Sequence, residues 1–508
     1  MSIATEITRL QTAKSDLKTS IENKGVTVPS ATTLDGYAAL VDQISSGGGG
    51  GGGSATDPVR FIDYDGTILY SYSAEDFANL TEMPANPSHT GLTAQGWNWT
   101  LTDAKTYVAT YGMLDIGQMY VTDDGKTRVY ISLVDSARLS PYLGICPNGT
   151  VVVDWGDNTA TDTLTGTSLT TVKRAQHTYA STGDYVISLT VSSGSFAIYG
   201  SSSSTNGSYL LTRTNGDIIS QTCYQNAIKK VELGTNVSLG ANAFNNCYSL
   251  TSITIPSGVT SIGNNAFNNC YSLASITIPN SVTSIDNAFN NCYSLTSIMI
   301  PSGVKSIGTL KNCYSLASIT IPSGFTSIGL FMFDTCYSLA SITIPNSVKS
   351  IGVNAFNNCY SLTSITIPSG VKSIGSSAFN NCYHLTSITI PSNVTSIGSM
   401  AFGNCYPLTS ITIPSGVKSI DGSVFYNCRS LSNITIPSGV TSIGSSAFYN
   451  CYAIAEYHFL PTTPPTLSNT NAFSGIPDDC IIYVPSASLS AYQTATNWST
   501  YASKMVGE

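Results

Sequence analysis

The chain is poor in charge, in histidine and in long apolar runs, and each shortage closes off a class of function. Charged residues make up 10% of its 508 positions, against about 25% in an ordinary soluble domain. With a net charge of −8 and no basic run, nothing favours nucleic acid or an anionic membrane as a partner. No apolar stretch reaches the ~18 residues a bilayer span needs, so no membrane insertion is expected. The opening residues MSIATEITRLQ have neither a basic n-region nor an apolar h-region, and they do not read as a secretory signal. The histidines His89, His177, His384 and His458 are scattered, with no nucleophile, base and orienting group in sight. No catalytic residue, cofactor or bound metal is therefore expected.

What the chain does have is a period. Eleven cysteines recur from Cys223 to Cys451, and ten of them are followed by tyrosine. Seven of the ten steps are 23 residues long; the others are 24 (Cys223 to Cys247), 22 and 21 (Cys270 to Cys292 to Cys313). A fixed period in this range signals stacked units, none of which can bury its apolar face alone. The odd count and even spacing differ from a small disulfide framework, so the thiols read as reduced, buried small hydrophobes.

One unit, residues 247–269, reads CYSLTSITIPSGVTSIGNNAFNN. Leu250, Ile253 and Ile255 fit a short strand facing inward, with Thr251, Ser252 and Thr254 facing out. Pro256 ends the strand, Val259 and Ile262 build a second extended piece, and Ala266-Phe267 with the following asparagines reads as a helical turn. The residues missing from the short units fall between Ile285 and Phe289 and between Ile307 and Leu310, where a loop is expected. Three rows should run along the array. One is Ser/Thr, from Ser252 and Thr254 to Ser410 and Thr412, interrupted by Met299 and Asn433. One is Asn, at Asn246, Asn269, Asn291, Asn358, Asn381, Asn404, Asn427 and Asn450. The third is Tyr248, Tyr271, Tyr293, Tyr314, Tyr337, Tyr360, Tyr383 and Tyr406, with Arg429 next in line. An aromatic row with polar tips suits a protein or glycan ligand, so these tyrosines are the candidate ligand-binding residues. The alternative is that they stack on one another and seal the seam between units.

Ahead of the array, residues 1–46 read as a helical hairpin. Ile3, Ile7, Leu10, Leu17 and Ile21 form one seam, which should pack on a larger body or on other copies of the chain, as in a homotrimer. Residues 47–56, with Gly47 to Gly53, read as a flexible linker. Residues 57–125 read as a small α+β domain, with hairpins turning at Asp65-Gly66 and, in MYVTDDGKTRVYISL, at Asp124-Gly125. Asp63 and Asp65 sit where acidic residues are ordinary. Residues 126–200 alternate like a β-sandwich, 201–222 fall where an N-terminal cap of the array belongs, and 453–508 form a C-terminal cap.

Three resemblances add to this reading. Residues 223–452 resemble the BspA-type leucine-rich repeat, through L-x-x-I-x-I-P, V-x-x-I-G and A-F-x-x-C; the tyrosine after cysteine departs from the family habit. That resemblance implies a solenoid used in surface adhesion, and residues 481–502 look like its closing segment. Trp155-Gly156-Asp157 with His177, Tyr179, Gly183 and Tyr185 resembles the PKD family, with Asn158 in place of glycine, and implies a structural spacer. The run Leu10–Pro29 resembles the helical openings of phage and prophage tail-region proteins and implies attachment to a particle. The expectation is a multidomain, mainly β chain: a phage tail fibre or receptor-binding protein, made in the host cytoplasm and located in the virion tail. Its N-terminus would dock on tail or baseplate proteins, and its array would bind a host surface protein or glycan. The alternatives are a bacterial or prophage-encoded BspA-like adhesin at the bacterial cell surface, and a purely structural virion component.

Overall fold

The computed structural model describes residues 57–200, 210–212, 224, 226–283 and 285–508. The expected helical hairpin (1–46), the glycine linker (47–56), most of 201–222 and Cys223 lie outside the described residues.

The first described unit is a four-stranded sheet carrying two helices. Strands β1 (Val59–Ile62) and β2 (Ile68–Tyr72) pair antiparallel around Asp65-Gly66, where Gly66 has φ 94° and Thr67 N donates to Asp65 Oδ1. Helix α1 (Ala74–Asn79) starts at Ser73, whose hydroxyl accepts from Asp76 N. Strand β3 (Leu92–Trp97) leads into helix α2 (Leu101–Tyr111), capped by Thr100 and ended by Gly112 at φ 83°. Strand β4 (Leu114–Thr122) lies between β1 and β3. Leu114 and Ile116 of β4 pack with Phe61, Phe77, Trp97 and Tyr107. Eight of its nine residues are buried, because its other face is also covered.

The sequence suggests a hairpin across Asp124-Gly125, and the structure corrects this. The tight turn forms, with Gly125 N donating to Thr122 O, but its two strands part company. Strand β5 (Thr127–Leu133) pairs antiparallel with β9 (Gly183–Ile198) on one edge and with Ile228–Glu232 on the other. A two-residue turn serves a corner as well as a hairpin; which strand pairs is decided by the sheet that buries β5's alternate residues Val129, Ile131 and Leu133.

Residues 126–200 are likewise not a free-standing sandwich. Strand β6 (Tyr142–Asp154) takes β7 (Asp162–Thr167), β8 (Lys173–Gln176) and β9 as partners. Leu211–Thr212 (β10) adds to β6, and β11 (Ile228–Glu232) joins β5 to the array by pairing in parallel with Ser252–Thr254. Val237–Leu239 pairs in parallel with β9. Strands β5 and β9 thus lie against the end of the array; most of residues 201–222, the expected N-terminal cap, fall outside the described residues. One apolar core runs unbroken from Val129 to Met505.

Within the array, Ser-Ile-Thr strands such as Ser275–Thr277 and Ser364–Thr366 pair in parallel, rung on rung. A second column of short strands includes Ser350–Ile351, Ser373–Ile374 and Ser396–Ile397. The expected helical turn is instead a loop pinned by paired left-handed residues, for example Asn265 (φ 56°) and Asn269 (φ 62°). Phe267 still points inward, stacked between Phe244 and Phe289 at 5.4 Å to each. At the C-terminal end, Glu456–Phe459, Ile481–Val484 and Met505–Gly507 extend the ladder. Tyr457, Phe473, Tyr492 and Trp498 seal it, with the Trp498 indole donating to Pro465 O at 2.7 Å.

The α+β unit lies on the strand face of the array's first half. Asn98 Nδ2 donates to Met299 O at 3.1 Å, Trp99 Nε1 to Ile300 O at 3.0 Å and the Tyr107 hydroxyl to Ile321 O at 2.8 Å. Arg60, paired with Asp115, also reaches Ser318 Oγ at 3.0 Å. Close approach depends on Gly117, where a Cβ would fall 2.4 Å from Thr277 Oγ1 and 2.9 Å from Met299 Cβ. Gly117→Val should therefore lever the unit off, at a cost of about 1–3 kcal/mol for an overpacked contact. Hydrogen exchange at Ser297–Ile300 and proteolysis near Asp124 should both rise. Unchanged protection at these amides would show that the contact is not what holds the unit down.

Candidate recognition faces of the array

The candidate tyrosines form one column. Successive rings from Tyr248 to Tyr406 stack at centroid distances of 4.7, 4.4, 4.6, 4.8, 4.6, 4.7 and 5.2 Å. The planes stay within 24° of parallel throughout. The Arg429 guanidinium caps the last ring at 4.6 Å. Ring faces are consumed by neighbours, so the half-buried column offers edges and hydroxyls rather than open aromatic platforms. Burial, with neighbouring phenols adding to it, raises the Tyr293 and Tyr360 pKa, keeping those hydroxyls neutral donors.

Beside this column run two rows that hold the rungs together. The residue preceding each array cysteine from Cys247 to Cys451 adopts φ near 60°, as at Asn381 (φ 61°) and Asn404 (φ 59°); it is asparagine except at Thr335 (φ 67°), and asparagine tolerates this conformation better than other residues with a side chain. Its amide donates to the preceding rung: Asn381 Nδ2 to Asn358 Oδ1 at 2.7 Å, Asn404 Nδ2 to Asn381 Oδ1 at 2.8 Å. Asn312 belongs to the row as well, bonded to Asn291 Oδ1 at 2.7 Å; its place just before Cys313 was the available signal. From Cys270 to Cys451 each buried array thiol donates to a main-chain carbonyl of the preceding rung, as Cys382 Sγ does to Phe356 O at 3.4 Å. Burial pushes the thiols up, to about 12 at Cys313, Cys405 and Cys451.

The Ser/Thr face is divided. Under the α+β unit Thr254, Ser275, Thr277 and Thr320 are buried. Met299, an irregularity in the row, packs under Gly117 at the centre of the contact. Beyond the unit's edge Ser364, Thr366, Ser387, Thr389, Ser410 and Thr412 are exposed. There the face dips into a hollow of about 310 Å³ lined by Ser410, Thr412, Asn433, Thr435 and Leu460. The register then carries Thr435 to His458 and His458 to Tyr483. His458 and Tyr483 stack at 4.8 Å, so the row ends in rings.

A family model described as a BspA type leucine rich repeat region, in six copies, matches residues 216–337 and 326–455. The described residues between 226 and 455 form a BspA-type leucine-rich repeat solenoid. Among solved structures, the chain is similar to the leucine-rich repeat protein TpLRR of T. pallidum, at 29% identity over 36% of this chain and 78% of that one, with a TM-score of 0.27. A leucine rich cell surface protein from Faecalibacterium prausnitzii is 28% identical over 56% of this chain and 87% of its own, with a TM-score of 0.31. A leucine-rich repeat protein from Bacteroides ovatus is 22% identical over 63% and 97%, with a TM-score of 0.35. No curated protein matches the chain. The PKD-like and tail-protein-like resemblances lie outside the residues the family model matches.

Asp63, Asp65 and His177, outside the repeats, are committed to local structure. The buried Asp63 carboxylate accepts from Tyr64 N at 2.9 Å, from the Tyr120 hydroxyl at 2.7 Å and meets His89 Nε2 at 2.7 Å. Asp65 shapes the β1–β2 turn. His177 is held by Asp157 at 2.7 Å and stacks on Trp155 at 4.9 Å. Among the described residues, no group of three His, Cys, Asp or Glu side chains converges as a metal site would require.

Two outcomes follow from the repeat geometry. Asn381→Ala should cost about 1–3 kcal/mol, because it removes a half-buried amide bonded to both Asn358 and Asn404 and puts at φ 61° a residue that tolerates the left-handed region less well than asparagine. Asn381→Gly should recover the backbone share, and equal urea midpoints for the two variants would contradict this. Above pH 9 an unfolded chain ionises thiols that the folded chain keeps protonated to about 12. Stability is thus full below pH 9 and falls as pH rises, by about 1.4 kcal/mol per pH unit for each such thiol. A denaturation midpoint that stays flat from pH 8.5 to about 10.5 would contradict the assignment.

Proposed function

We propose that this protein is a surface-displayed, adhesin-like recognition protein whose leucine-rich repeats carry the contact surface. The observation that carries this reading is the division of the strand face: the chain covers one half with its own α+β unit and leaves the other half open. The open half presents regular neutral hydroxyl rows on a rigid core, next to a column of tyrosine hydroxyls. Rigid, pre-ordered rows lose little entropy on binding, which suits a weak contact repeated many times along a polymer or protein surface. The scarcity of charge in these rows favours a neutral partner, a host-surface protein or glycan. The tyrosines from Tyr248 to Tyr406 stand in this proposal as hydroxyl-edge contacts. The BspA-type repeats favour display on a bacterial surface, as the resemblance implies.

A second reading keeps a specific support: the likeness of Leu10–Pro29 to tail-protein openings, followed by Gly47 to Gly53. In that reading the N-terminal segment docks on a tail particle, with self-association of its apolar seam, and the same array meets the host. Immuno-electron microscopy decides between them, through label on cell envelopes or label on particles.

The array's role is tested by flow-cytometric binding of the full chain to candidate host cells. A strand-face variant (Thr366→Lys, Thr389→Lys, Thr412→Lys) and a column variant (Tyr314→Ala, Tyr337→Ala, Tyr360→Ala) should separate the two faces. The face in contact should lose tenfold or more in binding. If both variants bind like the parent chain, the repeats are not the contact surface.

A further inference from the structure

The seam where helix α2 crosses the repeats forms a small open cleft of about 170 Å³, with Asp103, Thr106, Thr110 and Ser323 exposed along its rim. Its wall on the α2 side is a stripe: Asp103, Thr106 and Thr110 recur at helical spacing and face the array, with Tyr111 half-buried at the end. The opposite wall is Ser302 and Ser323, which occupy equivalent positions after Pro301 and Pro322 in adjoining rungs. Trp99 and Tyr107 lie beneath with their polar atoms already bonded to Ile300 O and Ile321 O, so they contribute only apolar ring surface.

The chemistry of this lining is selective. The Asp103 carboxylate and the Ser302 and Ser323 hydroxyls have no protein partner among the described residues. The Thr106 and Thr110 hydroxyls donate back to Thr102 O and Thr106 O, which leaves their oxygens free to accept. No lysine, arginine or histidine lines the cleft, so an anion finds no counter-charge there. A single carboxylate is too few oxygen ligands for a hard cation. The volume falls below the ~300–1,000 Å³ of sites that enclose drug-sized molecules. What remains is a small neutral molecule with several hydroxyls and one apolar flank.

We propose that this cleft binds a single pyranose ring, with Asp103 and the serine and threonine hydroxyls taking its hydroxyl groups and Tyr111 flanking its apolar side. The site lies on the seam rather than on the open strand face or the tyrosine column, so it stands or falls apart from the adhesin reading. A terminal sugar of a glycan and a free monosaccharide share this chemistry, and a methyl glycoside panel with both anomers tells them apart from the free reducing sugars.

The test uses the full chain with glucose, galactose, mannose and N-acetylglucosamine, each free and as methyl α- and β-glycosides. Binding is read by saturation-transfer NMR and calorimetry. At least one should bind at a single site with a dissociation constant of about 1 mM. Asp103→Asn and, at an exposed position, Ser323→Trp should each weaken it tenfold or more while the thermal midpoint stays within a few degrees. The proposal is overturned if no sugar shows saturation transfer, or if both folded variants bind as the parent does.

Discussion

Everything in this molecule depends on one rung lying on the next. A 23-residue turn of this sequence contributes a leucine, a few isoleucines or valines, a phenylalanine and a cysteine to a core it cannot close by itself. Stacking solves several problems at once. Strand amides find carbonyls on the neighbouring rung, asparagine amides find asparagine oxygens, thiols find phenylalanine carbonyls, and phenyl and phenol rings find each other. Because most rungs repeat the same donors and acceptors at the same places, a bond that satisfies one rung recurs in its neighbours. The two ends have a neighbour on one side only and must be closed by other elements. β5 and β9 lie against one end; Trp498 and its aromatic neighbours close the other.

Regularity also explains how the α+β unit recognises its place. On a uniform ladder one register is as good as the next, so docking needs an irregularity to find. Met299 supplies it by replacing the threonine of its rung, and Gly117 supplies the close approach that fits it. Successive Ile278, Met299, Ile300 and Ile321 carbonyls then receive Asn98, Trp99 and Tyr107. The covered rungs gain a fixed partner, and the rungs beyond are left to meet something else. This division of one face into an occupied and an open half makes a recognition role the best-supported reading of the chain.

The sequence by itself determined the solenoid. Period, inward Leu/Ile/Phe/Cys positions, strand-ending prolines and the place of the missing residues in the short units are all local properties, set by alternation of side chains and by proline's lack of an N–H. It also located the tyrosine, asparagine and Ser/Thr rows, although not the left-handed backbone beneath the asparagines, since Ala-Phe-Asn-Asn carries no mark that separates a helical turn from a pair of αL corners. Tertiary structure alone decided the rest. Whether Asp124-Gly125 made a hairpin or a corner depended on which distant sheet claimed β5. Whether residues 126–200 stood alone depended on β11, a strand that pairs with β5 and with the first repeat together. Whether a tyrosine face was open or stacked, and whether a threonine was exposed or covered, depended on contacts between residues 20 to 200 positions apart in the chain. The contacts that cover a threonine leave no periodic trace, because each is made once, between surfaces whose fit exists only after both have folded.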